Sequence, residues 1–348
     1  MTNSKVKRIG IMTGGGDAPG LNGVIEAASR TLLNHGCEVF GILDGFEGVF
    51  NQKSFAINRE VVEGLHCQAG TLLGTSSKTK IKGRAQEFQA CFQSLRLDGM
   101  IAAGGDGTFM GLKELAPDLP ILGIPKTIDN DLQGTEITFG FDTACTVVSE
   151  AIDSLRATAR AHRRVMIVQT MGRSAGWIAL GGGLAAYADA ILIPERPYDP
   201  QRLKDFLESK QKADFRGLVL SVSEAAHALG HEPVFVENKK GGLNPIRYTG
   251  VGDQLCEWIE KNTSWEARAV VLGHLQRSRT PTNFDRFLTL EMGTLAAHCV
   301  LQGDWNKAIV YRGGKVITAP LNEIQGEPRV VPQNHPWIKF ARDVGVWI

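Results

Sequence analysis

The chain has 348 residues, of which 43% are hydrophobic, and its formal net charge is +1. This length suggests about two domains at roughly 150 residues each and allows a large buried core. A net charge so close to zero gives no bulk electrostatic reason to expect nucleic acid or an anionic membrane as a partner. Any anion must therefore be bound at a local site.

The cysteines and the first residues indicate the compartment. Six cysteines are scattered along the chain, with no CxxC pair and no zinc-ligand spacing. This distribution is typical of buried thiols in a reducing compartment. The start, MTNSKVKRIGIM, lacks the apolar core of a signal peptide, and no run of about 18 apolar residues predicts a membrane helix. We expect a cytoplasmic protein with no membrane or nucleic-acid partner.

The first part of the chain repeats one pattern, in which a short apolar strand leads through a glycine-rich turn into a helix. KRIGIM, TGGGDAPG and an amphipathic segment from Leu21 form the first copy. In the second copy, a strand is expected over about 98–103, and a helix is expected after Thr108, beyond GGDGT. LPILGIP, running into PKTIDND, is the third predicted strand. Alternating strands and helices predict a parallel sheet covered on both faces.

A second set of predicted strands begins near residue 164. Its members are RRVMIVQT, DAILIPE, FRGLVLSVSEAA and EARAVVLGHLQR. The two sets together predict an α/β fold of two doubly wound, Rossmann-like lobes with mainly parallel sheets, in which ligands bind at the carboxyl ends of the strands. The polar, Gly/Pro-rich segment 227–250 is expected to be a hairpin or a surface insertion.

Two glycine-rich turns are typical of phosphate-binding sites. In TGGGDAPG and GGDGT, glycines let backbone N–H groups approach a phosphate, and the following helix adds a partial positive charge. The first turn matches neither a Walker loop nor the dinucleotide fingerprint. Asp106 is suited to Mg²⁺ held jointly with substrate phosphates, and Thr108 can donate to a phosphate. The alternative is a tight turn without a ligand, with Asp106 as a helix N-cap.

PKTIDND concentrates a cation, a hydroxyl and two carboxylates in Lys126, Thr127, Asp129 and Asp131. Phosphoryl transfer needs charge neutralisation and a base for the attacking hydroxyl. Asp129 is a candidate base, Asp131 a candidate for metal binding or orientation, and Thr127 a contact for phosphate or hydroxyl. An Asp/Asn-rich turn that caps a helix is the alternative.

Cations are expected at the strand ends of the second set, with Arg164 opening one strand and Arg268 just before another. They suit a phosphorylated substrate and the charge of a transferring group, although each one alone could be a surface ion pair. The full set is Arg164, Arg173, Arg268, Arg277 and His274. Glu224, at the end of LVLSVSE, could accept hydrogen bonds from sugar hydroxyls.

The motifs GGGDAPG, GGDGT, PKTIDND, MGR, SE and LGHLQR followed by FDR, in this order and spacing, resemble those of the 6-phosphofructokinases over about residues 6–320. NAD and lipid kinases share only GGDGT. The resemblance, to the A type and its long, mixed-substrate branch, implies a glycolytic kinase that uses Mg-ATP to phosphorylate fructose 6-phosphate at its 1-hydroxyl. It also implies a donor lobe of residues 1–140 and about 276–326, and a sugar lobe of residues 141–275 and about 327–348.

The resemblance also implies roles, position by position. Asp129 would be the general base, Thr127 would meet the 1-hydroxyl, and Arg173 would stabilise the transferring phosphoryl group. The rest of the sugar site would be Ile128, Met171, Gly172, Glu224, His274, Leu275, Gln276 and Arg277. Arg164 and Arg268 would reach the site of a neighbouring subunit, which implies a homo-oligomer, usually a tetramer.

The implied donor site contains Gly16 and the run Gly105–Thr108, with Asp106 on the Mg²⁺. A family arginine that contacts donor phosphates falls here at Ser77. We therefore expect Ser77 and Lys78 in this site, with Lys80 or Lys82 as alternatives to Lys78.

Positions 107 and 126 indicate the donor. Members that use ATP have glycine at both, and those that use pyrophosphate have aspartate and lysine, so Gly107 with Lys126 is a mixed pattern. A carboxylate at 107 would crowd and repel the α-phosphate, whereas Lys126 excludes neither donor, and ATP is therefore favoured over pyrophosphate. A catalytically silent phosphosugar- or nucleotide-binding subunit is a third interpretation, against which Asp106, Asp129 and Arg173 argue.

Overall fold

The structure is a computed structural model that describes residues 7–76, 78–237, 246–324 and 326–348. The strands are β1 (Arg8–Gly14), β2 (Glu38–Ile42), β3 (Ser54–Ile57), β4 (Gly99–Gly104), β5 (Ile121–Pro125), β6 (Arg164–Thr170), β7 (Ala190–Leu192), β8 (Leu218–Ser223), β9 (Phe235–Glu237), β10 (Ile246–Tyr248), β11 (Glu266–Val271), β12 (Lys307–Arg312) and β13 (Lys315–Pro320).

The α-helices are α1 (Leu21–Asn34), α2 (Phe46–Phe50), α3 (Arg59–Val62), α4 (Ala85–Ser94), α5 (Asp106–Leu115), α6 (Phe141–His162), α7 (Trp177–Ala185), α8 (Pro200–Lys212), α9 (Val251–Asn262), α10 (Leu275–Ser278), α11 (Asn283–Gln302) and α12 (Pro336–Asp343). Of the helices in the described ranges, none is both long and apolar enough to cross a bilayer.

Within the described ranges, seven strands form one sheet in the order β13-β12-β5-β4-β1-β2-β3. Its central neighbours are parallel, and antiparallel β13 and β3 form the edges. Strands β4 and β5 are buried along their whole length, because helices cover both faces of the sheet. Gly14 pairs with Gly104, and Gly104 with Pro125, so the last residues of β1, β4 and β5 are level. We call this sheet and its helices the first lobe.

The second lobe contains a parallel sheet in the order β11-β6-β8-β7. Alternate residues of β6 contribute to two separate buried clusters: Val165 and Ile167 belong to one, and Val168 belongs to the other. Such alternation means that both faces of the sheet are covered. The prediction of an α/β fold with mainly parallel sheets is confirmed. β9 and β10 pair antiparallel, as predicted for a hairpin within 227–250; residues 238–245 lie outside the described ranges.

The helix after GGDGT begins earlier than predicted. α5 starts at Asp106 rather than after Thr108, because the backbone N–H groups of Thr108 and Phe109 both donate to the Gly105 carbonyl. Gly105 is the N-cap, so the alternative that Asp106 caps this helix is wrong. Asp106 instead lies in the first helical turn, where the N-terminal partial charge favours a carboxylate.

A buried carboxylate joins the two lobes at the start of α11. Asp285 accepts hydrogen bonds from the Gly140 N–H at 2.9 Å, the Thr143 N–H at 2.8 Å and the Thr143 hydroxyl at 2.5 Å. Burial raises the pKa of Asp285 to about 6, and these three donors oppose that shift. Asp285 therefore fixes the start of α11 against the start of α6, which leads into the second lobe.

Candidate active site

A polar cavity of about 260 Å³ lies where the carboxyl ends of the two sheets meet. Its lining is Gly15, Gly16, Asp17, Gly105, Asp106, Gly107, Lys126, Thr127, Ile128, Asp129, Asp131, Arg173, His274 and Arg277. A larger open groove of about 600 Å³ lies on α11 and β13, with Glu291 and His298 in its lining. That groove contains neither glycine-rich turn, so cavity size alone does not identify the site.

The two glycine-rich turns lie side by side in the cavity wall. Thr108 is buried against both, and a Cβ on either Gly14 or Gly104 would collide with its side chain. Gly15 has φ 78°, which glycine adopts without the strain that a Cβ would bring. The sequence needs glycine here because the backbone of two strand ends approaches one threonine closely.

Asp106, the predicted magnesium ligand, lines the cavity beside the two glycine-rich turns. Burial raises the pKa of its carboxyl, and the positive charge of Arg173 partly opposes this. A bound Mg²⁺ ion would offset the cost of keeping this buried carboxyl ionised, because it would place a positive charge beside it. Among the described residues there is no group of three or more His, Cys, Asp or Glu that could bind a metal alone. One carboxylate completed by substrate phosphates and water is an arrangement that Mg²⁺ accepts.

The PKTIDND loop brings two carboxylates to the cavity. Asp129 is 3% exposed, and its Oδ1 is buried without a hydrogen-bond partner in the described part of the chain. The Asp129 N–H donates to the Thr127 hydroxyl at 3.1 Å, which ties the two residues together. Burial, followed by the charge of Asp129, raises the pKa of Asp131 to about 6, while Arg173, 3.9 Å away, opposes the rise.

Lys126 lies below the cavity surface, between the two glycine-rich turns. It is 3% exposed, and its ammonium donates a short hydrogen bond to the Gly16 carbonyl. Burial and then the nearby Arg277 lower the pKa of Lys126 to about 8, against the charges of Asp129, Asp17 and Asp131. Lys126 is therefore mainly protonated at pH 7 and adds a positive charge beside the two glycine-rich turns.

Arg173 is positioned by its own loop. Arg173 has φ 54° and Gly172 has φ 141°, and the Arg173 N–H donates to the Glu224 carboxylate at 2.9 Å. Burial raises the pKa of Glu224 to about 7, which this hydrogen bond opposes. Buried Gln276 accepts from the Met171 N–H at 3.3 Å. The predicted sugar-site residues Met171, Gly172, Glu224 and Gln276 thus form one connected loop structure behind Arg173.

Arg277, in α10, contacts the first glycine-rich turn. Its Nη1 donates to the Asp17 carbonyl at 2.8 Å and lies 3.7 Å from the Asp17 carboxylate. His274 also lines the cavity. Ile128 also lines the cavity, although it is only 1% exposed and belongs to a hydrophobic cluster, whereas Leu275 is 62% exposed and is not in the lining.

Arg164 and Arg268 do not line this cavity. Arg164 opens β6 and pairs with Glu266 at 2.7 Å, and Arg268 pairs with Glu260 at 2.7 Å. The prediction that Arg268 precedes its strand is wrong, because it is paired with Met166 inside the sheet. Both arginines lie toward the amino ends of their strands, away from the cavity of their own chain. Their predicted reach into a neighbouring subunit stays a prediction.

The predicted donor-site residues of the lysine-rich segment do not line the cavity where the structure describes them. Ser77 lies outside the described residues, and Lys78, which is exposed, is not among the residues that line the cavity, nor are Lys80 and Lys82. Sequence reasoning missed two other residues. Asp17 lines the cavity and was visible in TGGGDAPG, whereas Arg329, which contacts the loop of Asp129 from outside, has no motif around it.

Comparison with known proteins indicates the family of the chain. A family model described as "Phosphofructokinase" matches residues 8–300. An ATP-dependent 6-phosphofructokinase 2 from Streptomyces coelicolor is 38% identical over 94% of this chain and 97% of its own length. A pyrophosphate–fructose 6-phosphate 1-phosphotransferase from Amycolatopsis methanolica is 40% identical over 93% of this chain and 96% of its own length.

Solved structures agree on the fold. Pichia pastoris phosphofructokinase in the T-state superposes with a TM-score of 0.80 at 29% identity, covering 92% of this chain and 35% of its own, longer chain. A pyrophosphate-dependent phosphofructokinase from Marinobacter aquaeolei gives a TM-score of 0.82 at 20% identity, covering 99% of this chain and 88% of its own. At this identity the match supports the fold alone. With the family model and these relatives in agreement, the chain belongs to the phosphofructokinase family.

Proposed function

We propose that this chain transfers the γ-phosphoryl group of ATP to the 1-hydroxyl of fructose 6-phosphate. The observation that carries the proposal is the buried Asp129 Oδ1, which has no hydrogen-bond partner within the described residues and belongs to the cavity lining. A buried carboxylate oxygen normally has a donor, and a substrate hydroxyl is the donor that a phosphotransferase would supply. The named activities of the Streptomyces and Amycolatopsis relatives support the same acceptor.

In this proposal Asp129 takes the proton of the 1-hydroxyl as the hydroxyl oxygen attacks the γ-phosphorus of ATP. The Asp129 N–H donates to the Thr127 hydroxyl, so the backbone of Asp129 is fixed beside that hydroxyl. The same hydroxyl can also contact the substrate. Arg173 lines the same cavity and would neutralise charge on the transferring group. The β–γ bridging oxygen leaves with the electron pair as ADP.

Asp106 would hold Mg²⁺ together with donor phosphates. The fit rests on its half-buried carboxyl beside the two glycine-rich turns and on the raised pKa that burial gives it. When bound, Mg²⁺ neutralises phosphate charge during transfer.

Gly107 favours ATP, because a carboxylate there would repel the α-phosphate, which pyrophosphate lacks. Lys126 excludes neither donor, and the named activity of the Amycolatopsis relative makes pyrophosphate the second candidate. A coupled assay supplies fructose 6-phosphate and Mg²⁺ with ATP, ADP or pyrophosphate in turn. We expect turnover with ATP. Turnover with pyrophosphate alone would overturn the donor assignment, and no turnover with any donor would favour a silent phosphosugar- or nucleotide-binding subunit.

We also propose a cytoplasmic homo-oligomer, usually a tetramer in this family, with the donor and sugar lobes divided near residues 140, 276 and 326. Arg164 and Arg268 support shared sites, since they are partly exposed away from the cavity of their own chain. The test mixes two inactive variants, Asp129→Asn and Arg164→Ala. If sites are shared between subunits, hybrids regain activity. A mixture no more active than its parts argues against sharing.

A further inference from the structure

Arg329, in the segment after β13, donates hydrogen bonds to three backbone carbonyls of the loop of residues 126–139, which includes most of PKTIDND. Its guanidinium Nη2 donates to the carbonyls of Asn130 and Glu136, each at 2.8 Å. Its backbone N–H donates to the Asp131 carbonyl at 2.7 Å. Asn130 lies between the two aspartates of the cavity, and Asp131 is one of them. A single residue outside the cavity therefore binds the loop that carries both carboxylates.

The same residue contacts the second lobe. The Arg329 carbonyl accepts from the Trp177 indole N–H at 2.8 Å, and its guanidinium carbon lies 4.5 Å from the centre of the indole ring. A guanidinium over an indole face is a favourable cation–π arrangement. Trp177 is the first residue of α7 and follows the loop that carries Arg173. Arg329 therefore joins the loop of Asp129 to the loop of Arg173.

The segment that presents Arg329 is itself anchored. The Glu195 carboxylate accepts from the Val331 N–H at 2.8 Å and from the Gly176 N–H at 2.9 Å. On the other side, the Gln133 side chain donates to the Glu327 carbonyl at 3.2 Å. Because the backbone on both sides of Arg329 is tied to the two lobes, its side chain approaches the loop from a fixed position.

The loop has a left-handed backbone conformation at Asn130. This residue has φ 53°, in the left-handed region that few residues other than glycine adopt. Its side-chain oxygen accepts from the Thr138 N–H at 3.0 Å, and its backbone carbonyl is the one that Arg329 binds. The unusual conformation sets the direction in which the chain turns between Asp129 and Asp131.

We propose that Arg329 is a positioning residue for phosphoryl transfer, which holds the backbone between Asp129 and Asp131 at a fixed distance from the Arg173 loop. Its catalytic consequence rests on the proposed function. The guanidinium of Arg329 contacts only backbone carbonyls of the loop, and Arg329 does not line the cavity. It therefore acts through other residues. Displacement of a reacting group by about 1 Å can cost on the order of 10²-fold in rate.

The test compares Arg329→Met and Arg329→Lys with the matched control Arg196→Met. Arg196 is partly buried and donates to Gln333 at 2.8 Å, so it anchors the same segment without bonding to the loop. For Arg329→Met we expect kcat to fall about 10- to 100-fold with the KM for fructose 6-phosphate within about threefold. Arg329→Lys should recover part of the loss, because its ammonium can still donate to a loop carbonyl, and Arg196→Met should keep kcat within about twofold.

Hydrogen exchange of the full-length variants provides a second readout. Amides of residues 126–139 should exchange at least about tenfold faster in Arg329→Met than in Arg196→Met. A kcat within about twofold of wild type, a loss equally present in Arg196→Met, or unchanged exchange in that segment would overturn the proposal. If Arg329→Met does not fold, Arg329→Lys carries both readouts. A wild type inactive with every donor refutes the proposed function, while exchange still decides whether Arg329 holds the loop.

Discussion

Replacing Gly107 with aspartate should impair the use of ATP far more than that of pyrophosphate, mainly by electrostatic repulsion. Gly107 is the second residue of α5 and lines the cavity beside Asp106. A carboxylate in the first helical turn is stabilised by about 0.3–1 kcal/mol, and glycine is the poorer helix former, so the variant should fold as well as wild type. The new charge would instead act on the bound donor.

The size of the effect follows from Coulomb's law. Two unit charges about 4 Å apart repel by about 4 kcal/mol at an effective dielectric of about 20. Gly107 is partly exposed, and screening reduces this to about 2 kcal/mol, or roughly 30-fold in kcat/KM for ATP. Pyrophosphate lacks the phosphate that would face position 107 and should be affected far less.

The assay measures kcat/KM for ATP and the affinity for pyrophosphate, as substrate or as competitive inhibitor, in wild type, Gly107→Asp and Gly107→Asn. The asparagine has nearly the same volume without the charge and should lose less than a third as much in log kcat/KM. Equal losses for both donors, or equal losses in the two variants, would refute the electrostatic argument.

Three further predictions concern the reacting groups. Asp129→Asn should lower kcat by about 10²–10⁴-fold while calorimetric binding of fructose 6-phosphate changes little, and wild-type turnover would remove Asp129 as the base. The pKa of Glu224 is raised to about 7, so its hydrogen-bond-accepting carboxylate form is lost as pH falls through 7. The wild-type KM for fructose 6-phosphate should therefore rise from pH 8 to pH 6, and Glu224→Gln should flatten this profile; parallel profiles would contradict the role. Asp106→Asn should raise the Mg²⁺ concentration for half-maximal rate at least about tenfold, measured at fixed ATP, and an unchanged metal dependence would exclude it as the ligand.

The parallel sheets and their turns could be predicted because each signal is local. A buried parallel strand needs a continuous apolar run, and a close backbone approach needs glycine, so KRIGIM with TGGGDAPG already defines a strand end. The helix after GGDGT was predicted too late, because Gly105 can act as an N-cap without a capping side chain. Boundaries of this kind depend on backbone hydrogen bonds that any residue can make.

Contacts between distant segments could not be predicted. Arg329 and the Asn130 carbonyl are 199 residues apart, and Arg277 and the Asp17 carbonyl are 260 apart. In both pairs the acceptor is a backbone oxygen, which every residue carries, so the accepting side leaves no pattern in the sequence. The motifs indicated which side chains are candidates for the site. The contacts that each of them makes within the protein depend instead on the packing of the two lobes.

The packing of α11 on α1 has a consequence for how the chain folds during synthesis. Leu288 and Met292 share one buried cluster with Val24 and Ile25, and β12 adds to the sheet beside β5. The sheet of the first lobe therefore stays incomplete until the ribosome has produced β12 and β13, whereas the four strands of the second sheet lie within one continuous stretch. The edge of β5 that pairs with β12 therefore stays unpaired while the whole second sheet is being synthesised.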